Sequence, residues 1–136
     1  MDKETGGGRG GAASGEMTQS LEDYLEAVFV LIEENGSAQV RDVARLLSVK
    51  MPSVVKAIHE LKKLELAEQR PYGPIELTAK GAAAARRVLN RHELLRGFLL
   101  KLGVSRRTAD RDACRMEHIL SAETLDKIRI YTEGKR

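Results

Sequence analysis

A mainly α chain with one small β-hairpin is the fold class this sequence predicts, arranged as a helix-turn-helix with a wing and then a second, helical region. Three observations predict it. Aromatic residues make up only 4% of the 136 residues and Trp is absent, so the core has to be built from aliphatic side chains of the kind that pack helices. Apolar residues recur at spacings of three and four along most of the chain. The exception is a short stretch of β-prone residues on either side of the turn-forming run Pro71-Tyr72-Gly73-Pro74, which reads as a hairpin.

The elements follow in order. Residues 1–16 are Gly-rich, small and polar, with nothing to bury, and are expected to form a disordered tail. Ser20 is placed to cap a first helix carrying Leu21, Tyr24, Leu25, Val28, Phe29, Leu31 and Ile32, which Asn35-Gly36 ends. A second helix spans 40–47 with Val43, Ala44, Leu46 and Leu47 turned inward, residues 48–51 form a turn, and Pro52 opens a third helix that runs to about residue 64. Strands at 66–70 and 75–77 make the wing. Thr78 caps a long helix through the Ala82–Ala85 run to Leu102, where Gly103 stops it. Ser105 begins a helix carrying Ala113, Met116, Ile119 and Leu120, and residues 122–130 form a final short one. The chain therefore divides into a tail (1–16), a winged helix-turn-helix domain (17–78) and a helical domain (79–136) with exposed faces suited to dimerisation.

Composition excludes several classes. A single cysteine, Cys114, rules out an internal disulfide framework and suits a reducing cytoplasm. No apolar run reaches the ~20 residues of a membrane span, and the N-terminus lacks the apolar core of a secretory signal. The net charge of +3 is only mildly basic, so position has to carry any argument for a polyanionic partner. From Val40 to Arg70 there are seven Lys or Arg against four Asp or Glu, which concentrates the positive balance on the helix-turn-helix and wing. A recognition helix needs small or polar residues at its front and cations nearby for phosphates. Lys50, Pro52, Ser53 and Lys56 stand at the front of the third helix, Arg41 on the second and Arg70 at the wing. Ser53 is the candidate for a base edge, Lys56 for a base or phosphate, and Pro52 sets the helix start. His59 has no partner at metal-ligand spacing and reads as a surface or phosphate-contacting residue.

A second constellation lies downstream. Cys114, Glu117 and His118 stand at i, i+3 and i+4, which on one helix points them to a common face. Thiolate, carboxylate and imidazole together suit a first-row ion such as Fe(II), Mn(II), Co(II) or Zn(II) more than Mg(II) or Ca(II). Asp23 and Glu26, at i and i+3 on the first helix, and His92 on the long helix are the candidate complements. An enzyme using Cys114 and a nearby histidine would need an open metal position or a separate general base. Nothing in the sequence demands either, so no catalysis and no small-molecule substrate are expected.

The stretches SLEDYLEAVFVLIEE, RHELL and CRMEHILS resemble those of the diphtheria toxin repressor family, especially its manganese transport regulator branch. The similarity runs in order from Met17 to about Ile130, and its most specific elements are E-D-Y-x-E at Glu22 to Glu26 and C-x-x-E-H at Cys114 to His118. It implies that Asp23, Glu26, His92, Cys114, Glu117 and His118 are metal-ligand positions. It also implies a homodimeric repressor of metal-homeostasis genes on palindromic operator DNA, with Fe(II) or Mn(II) as co-repressor and Zn(II), Co(II) or Ni(II) able to substitute in vitro. The sequence is a hybrid: the manganese branch typically has a carboxylate at the Cys114 position, and the iron branch has methionine at the Asp23 position. The thiolate tilts the choice toward iron. Arg96 and Asp110 occupy the iron branch's ancillary ligand positions, so an ancillary site of that kind is not expected, and the length matches the shorter manganese-type layout. The competing expectation is a metal-independent winged-helix regulator answering another ligand.

Overall fold

The computed structural model describes residues 17–134; the expected tail over 1–16 lies outside them. The chain divides between Ala85 and Arg86 into two compact units, and among the described residues no helix is long and apolar enough to cross a membrane. Element order is α1 (Gln19–Asn35), α2 (Val40–Leu47), α3 (Met51–Lys63), β1 (Ala67–Gln69), β2 (Ile75–Leu77), α4 (Ala79–Lys101), α5 (Arg106–Met116) and α6 (Ala122–Thr132). The mainly α class with a single hairpin is thus what the chain adopts.

In the first unit α1 packs on α2 and α3, and α2 on α3. Their apolar stripes meet in a core of Leu25, Val28, Val43, Val54, Ile58 and Leu61. Burying each such side chain contributes about 1.5–3 kcal/mol. The α1 cap is Thr18 and not Ser20: the Thr18 hydroxyl accepts from the Leu21 amide at 3.1 Å, which starts the helix earlier and satisfies a first-turn donor. Gly36 ends α1 at φ 86°, a left-handed conformation that costs glycine little. Ser48 takes the equivalent place after α2 at φ 57°. Leu46, expected inward, is exposed; the short α2 buries only Val43 and Ala44, because a helix of eight residues leaves its last turn beyond the core.

The hairpin is antiparallel, pairing Ala67 with Leu77 and Gln69 with Ile75. Strand β1 is shorter than 66–70, since Leu66 is occupied otherwise: its carbonyl accepts from the Thr78 amide at 3.1 Å. A bridge from Ala38 to Ile75 extends the hairpin toward α1. The Thr78 hydroxyl caps α4 through the Gly81 amide at 2.9 Å and donates to the Glu65 carbonyl at 2.7 Å. Gly81 is required where it stands, as a Cβ there would lie 1.9 Å from the Leu66 carbonyl oxygen.

The second unit has its own core of Leu95, Leu99, Ala109, Ala113 and Leu125, flanked by Phe98, Val104, Met116 and Ile128. Gly103, at φ 99°, stops α4, and Ser105 and Ser121 cap α5 and α6 through the Thr108 and Thr124 amides. One expectation is corrected here. Helix α5 ends at Met116 and does not carry on through Ile119 and Leu120. Glu117 is its C-cap, His118 and Ile119 lie in the following turn, and Ser121 already begins the next helix.

Candidate metal centre and nucleic-acid interface

On the first unit, α3 turns Val54, Ala57, Ile58 and Leu61 into the core. That leaves Lys50, Pro52, Ser53, Lys56 and His59 exposed. Lys50 is the N-cap residue and makes no side-chain cap bond, so its ammonium is not committed to the helix. Pro52 occupies the first turn, where its missing amide hydrogen costs nothing. Arg41 and Arg70 are exposed on α2 and after β1, and Arg45 reaches Asp42 at 3.8 Å. Acidic residues are absent from the first turn of α3, and Lys62 and Lys63 stand in its last. Ser53 and Lys56 also line a groove that Thr18 and Ser20 border at the start of α1. The six residues singled out for DNA all lie on the surface of this unit, and the α3 face between Pro52 and His59 is a cationic surface of the kind phosphates attract.

Two residues were missed by sequence reasoning. Val55 is exposed between Lys56 and the first turn, and Tyr72 is fully exposed at the hairpin tip. Tyr72 also holds a left-handed φ of 62°, which is unusual for an aromatic residue. Tyr72 reads in the sequence only as part of the turn, and no spacing rule distinguishes an exposed valine from a buried one without knowing which way the helix faces.

Asp23 and Glu26 are half-buried on α1, and their i, i+3 spacing puts them on one face. The remaining candidates belong to the second unit: His92 on α4, Cys114 on α5, Glu117 at its C-cap and His118 in the turn. Three of these converge. His92 Nδ1 lies 3.5 Å from Glu117 Oε2, and His118 Nε2 lies 3.4 Å from Glu117 Oε1. Each imidazole therefore addresses a different carboxylate oxygen. Cys114, half-buried, sits about one turn before His118.

Glu117 is the only buried charged residue among those described, 3% exposed, and neither of its carboxylate oxygens has a hydrogen-bond partner. A carboxylate removed from water without hydrogen bonds costs several kcal/mol, about as a lower bound. A cation that two neighbouring imidazoles could also ligate would offset that cost. The donor set fits a first-row divalent ion: imidazole and carboxylate are common ligands, and a thiolate adds softness. One helical turn along α4 and one back along α5, Arg96 Nε pairs with Asp110 Oδ1 at 2.5 Å. The two residues at the ancillary positions thus bond each other, linking α4 to α5 beside the histidine and cysteine.

Known proteins similar to this chain indicate its family. Residues 16–75 match the family model described as iron dependent repressor, N-terminal DNA binding domain, and residues 78–133 match that of the iron dependent repressor, metal binding and dimerisation domain. The chain is 37% identical over 119 residues to an uncharacterized HTH-type transcriptional regulator of Methanocaldococcus jannaschii, covering 86% of this chain and 95% of that one. It is 43% identical over 111 residues to the HTH-type transcriptional regulator MntR of Geobacillus kaustophilus, covering 82% and 79%. Among solved structures it resembles T. acidophilum IdeR with a TM-score of 0.74 and 31% identity over 88% of this chain, and it spans about half of that chain, 55%. Two consecutive domain models and relatives matched over most of their length place the chain, as its motifs implied, in the iron dependent repressor family, the diphtheria toxin repressor group of metal-dependent regulators, near its manganese branch.

Proposed function

We propose that this chain is a cytoplasmic, homodimeric, metal-dependent transcriptional repressor that grips a palindromic operator when Fe(II) or Mn(II) is replete. In this reading residues 17–78 bind DNA and residues 79–136 bind metal and dimerise. The observation that carries it is Glu117, a buried carboxylate flanked by two imidazoles and lacking hydrogen bonds. The proposed ligand set is Asp23 and Glu26 from the first unit with His92, Cys114, Glu117 and His118 from the second. When bound, the ion supplies fixed positive charge and a set coordination geometry.

The residues then divide the work. Glu117 would hold the ion through its carboxylate, His92 and His118 through a ring nitrogen and Cys114 through its sulfur, and because such donors bind metal in their deprotonated forms, acid would oppose loading. The Cys114 thiolate favours Fe(II) over Mn(II), with Zn(II), Co(II) or Ni(II) as substitutes in vitro. Drawing ligands from both units restricts their relative freedom. Two recognition helices in a dimer have to stand ~34–36 Å apart to enter successive major grooves, so that restriction raises DNA affinity. A coupling of about 1–3 kcal/mol corresponds to a change of roughly 5- to 150-fold, and linkage makes DNA tighten metal binding equally. Exposed Leu102, Ile119 and Tyr131 on the second unit support self-association there. The role is binding, with no catalytic step and no small-molecule substrate.

The test is retention of enriched genomic DNA fragments by metal-stripped protein under anaerobic conditions, with Fe(II), Mn(II), Zn(II) or no metal, beside Glu117→Ala and His118→Ala variants. Retention that needs metal and is lost in the variants supports the reading. The ion effective at the lowest free concentration identifies the co-repressor. Equal retention without metal overturns the switch and leaves a metal-independent winged-helix regulator.

A further inference from the structure

The exposed face of α3 carries two apolar residues that phosphate binding does not explain, Met51 in its first turn and Val55 in its second, and Val55 is the one on the arc opposite the core. Val54, Ala57, Ile58 and Leu61 define the buried side of the helix. At 100° per residue the opposite arc runs through Pro52, Val55, Lys56 and His59, all of them exposed. Val55 is 56% exposed in the second turn of the helix. A β-branched residue there gains no burial and has a lower helix propensity than alanine or lysine, so neither packing nor helix formation accounts for it.

Its neighbours identify what covers it. Lys50 and Lys56 flank it, Lys62 and Lys63 stand in the last turn with Lys63 paired to Glu60 at 3.6 Å, and the first turn has no acidic residue. That charge pattern is complementary to nucleic acid and unfavourable for an apolar protein partner. Within the major groove, base edges present hydrogen-bond donors and acceptors at nearly every position. The 5-methyl group of thymine is the apolar exception. A valine on the groove-facing arc can satisfy no donor or acceptor, but its methyls can pack on that one group. We propose that Val55 is a specificity residue that reads a thymine 5-methyl in each half of the operator, while the surrounding lysines hold phosphates. The proposal rests on the DNA-binding reading above and adds to it the identity of a base.

The experiment uses the full metal-loaded chain and an operator obtained by repeated enrichment. Each thymine is replaced in turn by deoxyuridine, which removes only the methyl, and affinity is measured for the unaltered protein and for Val55→Ala. The expected result is one symmetry-related thymine position at which deoxyuridine weakens the unaltered protein by about 3- to 10-fold, the scale of one or two buried methyl groups. Val55→Ala should weaken the thymine operator by a similar factor and no longer distinguish thymine from deoxyuridine at that position. Metal affinity serves as the control for folding and should be unchanged in the variant. The same deoxyuridine profile in both proteins overturns the proposal. Failure of the DNA-binding reading itself looks different, because no fragment would be enriched by the unaltered protein.

Discussion

The first unit buries apolar and aromatic side chains from Tyr24 to Ile75 and keeps its Lys and Arg residues from Arg41 to Lys80 exposed, whereas the second carries a buried carboxylate, Glu117, beside a modest aliphatic core. The difference bears on how stability and function relate in each. On the first unit the candidate DNA-binding groups are solvated and contribute almost nothing to folding, so they can change without cost to the fold. In the second, the candidate functional group is itself a defect in the apo fold. A substitution there moves stability and function in opposite directions.

The largest expected effect tests that opposition. Glu117→Met replaces the buried charge with an apolar side chain of similar volume. In metal-free protein it is expected to raise stability by about 1–3 kcal/mol, as buried ionic groups replaced by hydrophobes often do. Metal affinity should fall by at least about 100-fold, the upper range for loss of a supporting group around a metal. Thermal unfolding without metal and calorimetric titration with it provide both readings, and a destabilised apo variant would erase the contrast between the units.

Next in size is Gly81→Ala, which acts on the first unit alone. The added Cβ would meet backbone, the Leu66 carbonyl, where nothing can swing aside, and a loss of about 3 kcal/mol is expected. Thermal unfolding should show it, with metal affinity of the folded protein retained. Lys56→Ala is smaller and leaves stability unmoved. It should weaken binding to all DNA sequences alike and lower the slope of log affinity against log salt by about one; a sequence-selective loss would mean that Lys56 contacts a base. The smallest effect is Tyr72→Gly, which relieves the left-handed backbone at the hairpin tip and is expected to stabilise by up to about 1 kcal/mol, read by chemical denaturation.

These contrasts also mark how far the sequence was legible. Helix α2 was readable because the turn from Ser48 to Met51 ahead of Pro52 closes it, and Gly36 and Gly103 announced themselves as stops. The α1 cap was less so, since Thr18 and Ser20 are chemically equivalent and only the hydrogen bond to Leu21 separates them. The end of α5 was hidden because Ile119 and Leu120 continue the apolar spacing past Met116, although Ile119 proves to be exposed. The C-x-x-E-H motif named candidate ligands from residue type alone. It held no signal that Glu117 would be buried, or that each of its oxygens would face a different imidazole, because burial comes from what distant segments do. For the cationic face the charge count located the region, while the outward aim of Val55 needed the orientation of α3.

The bonds at the foot of the wing set the length of a portable DNA-binding module. Besides the Thr78 contacts, Lys80 Nζ donates to the Leu64 carbonyl at 3.2 Å, and Gly81 lies against Leu66. The opening turn of α4 therefore closes off the carbonyls that follow α3. A fragment cut after the hairpin would leave those carbonyls to solvent and uncover apolar surface, while one extended to Ala85 keeps them matched. Anyone transplanting this reader onto another sensor should carry that helical turn with it and make the fusion beyond Ala85.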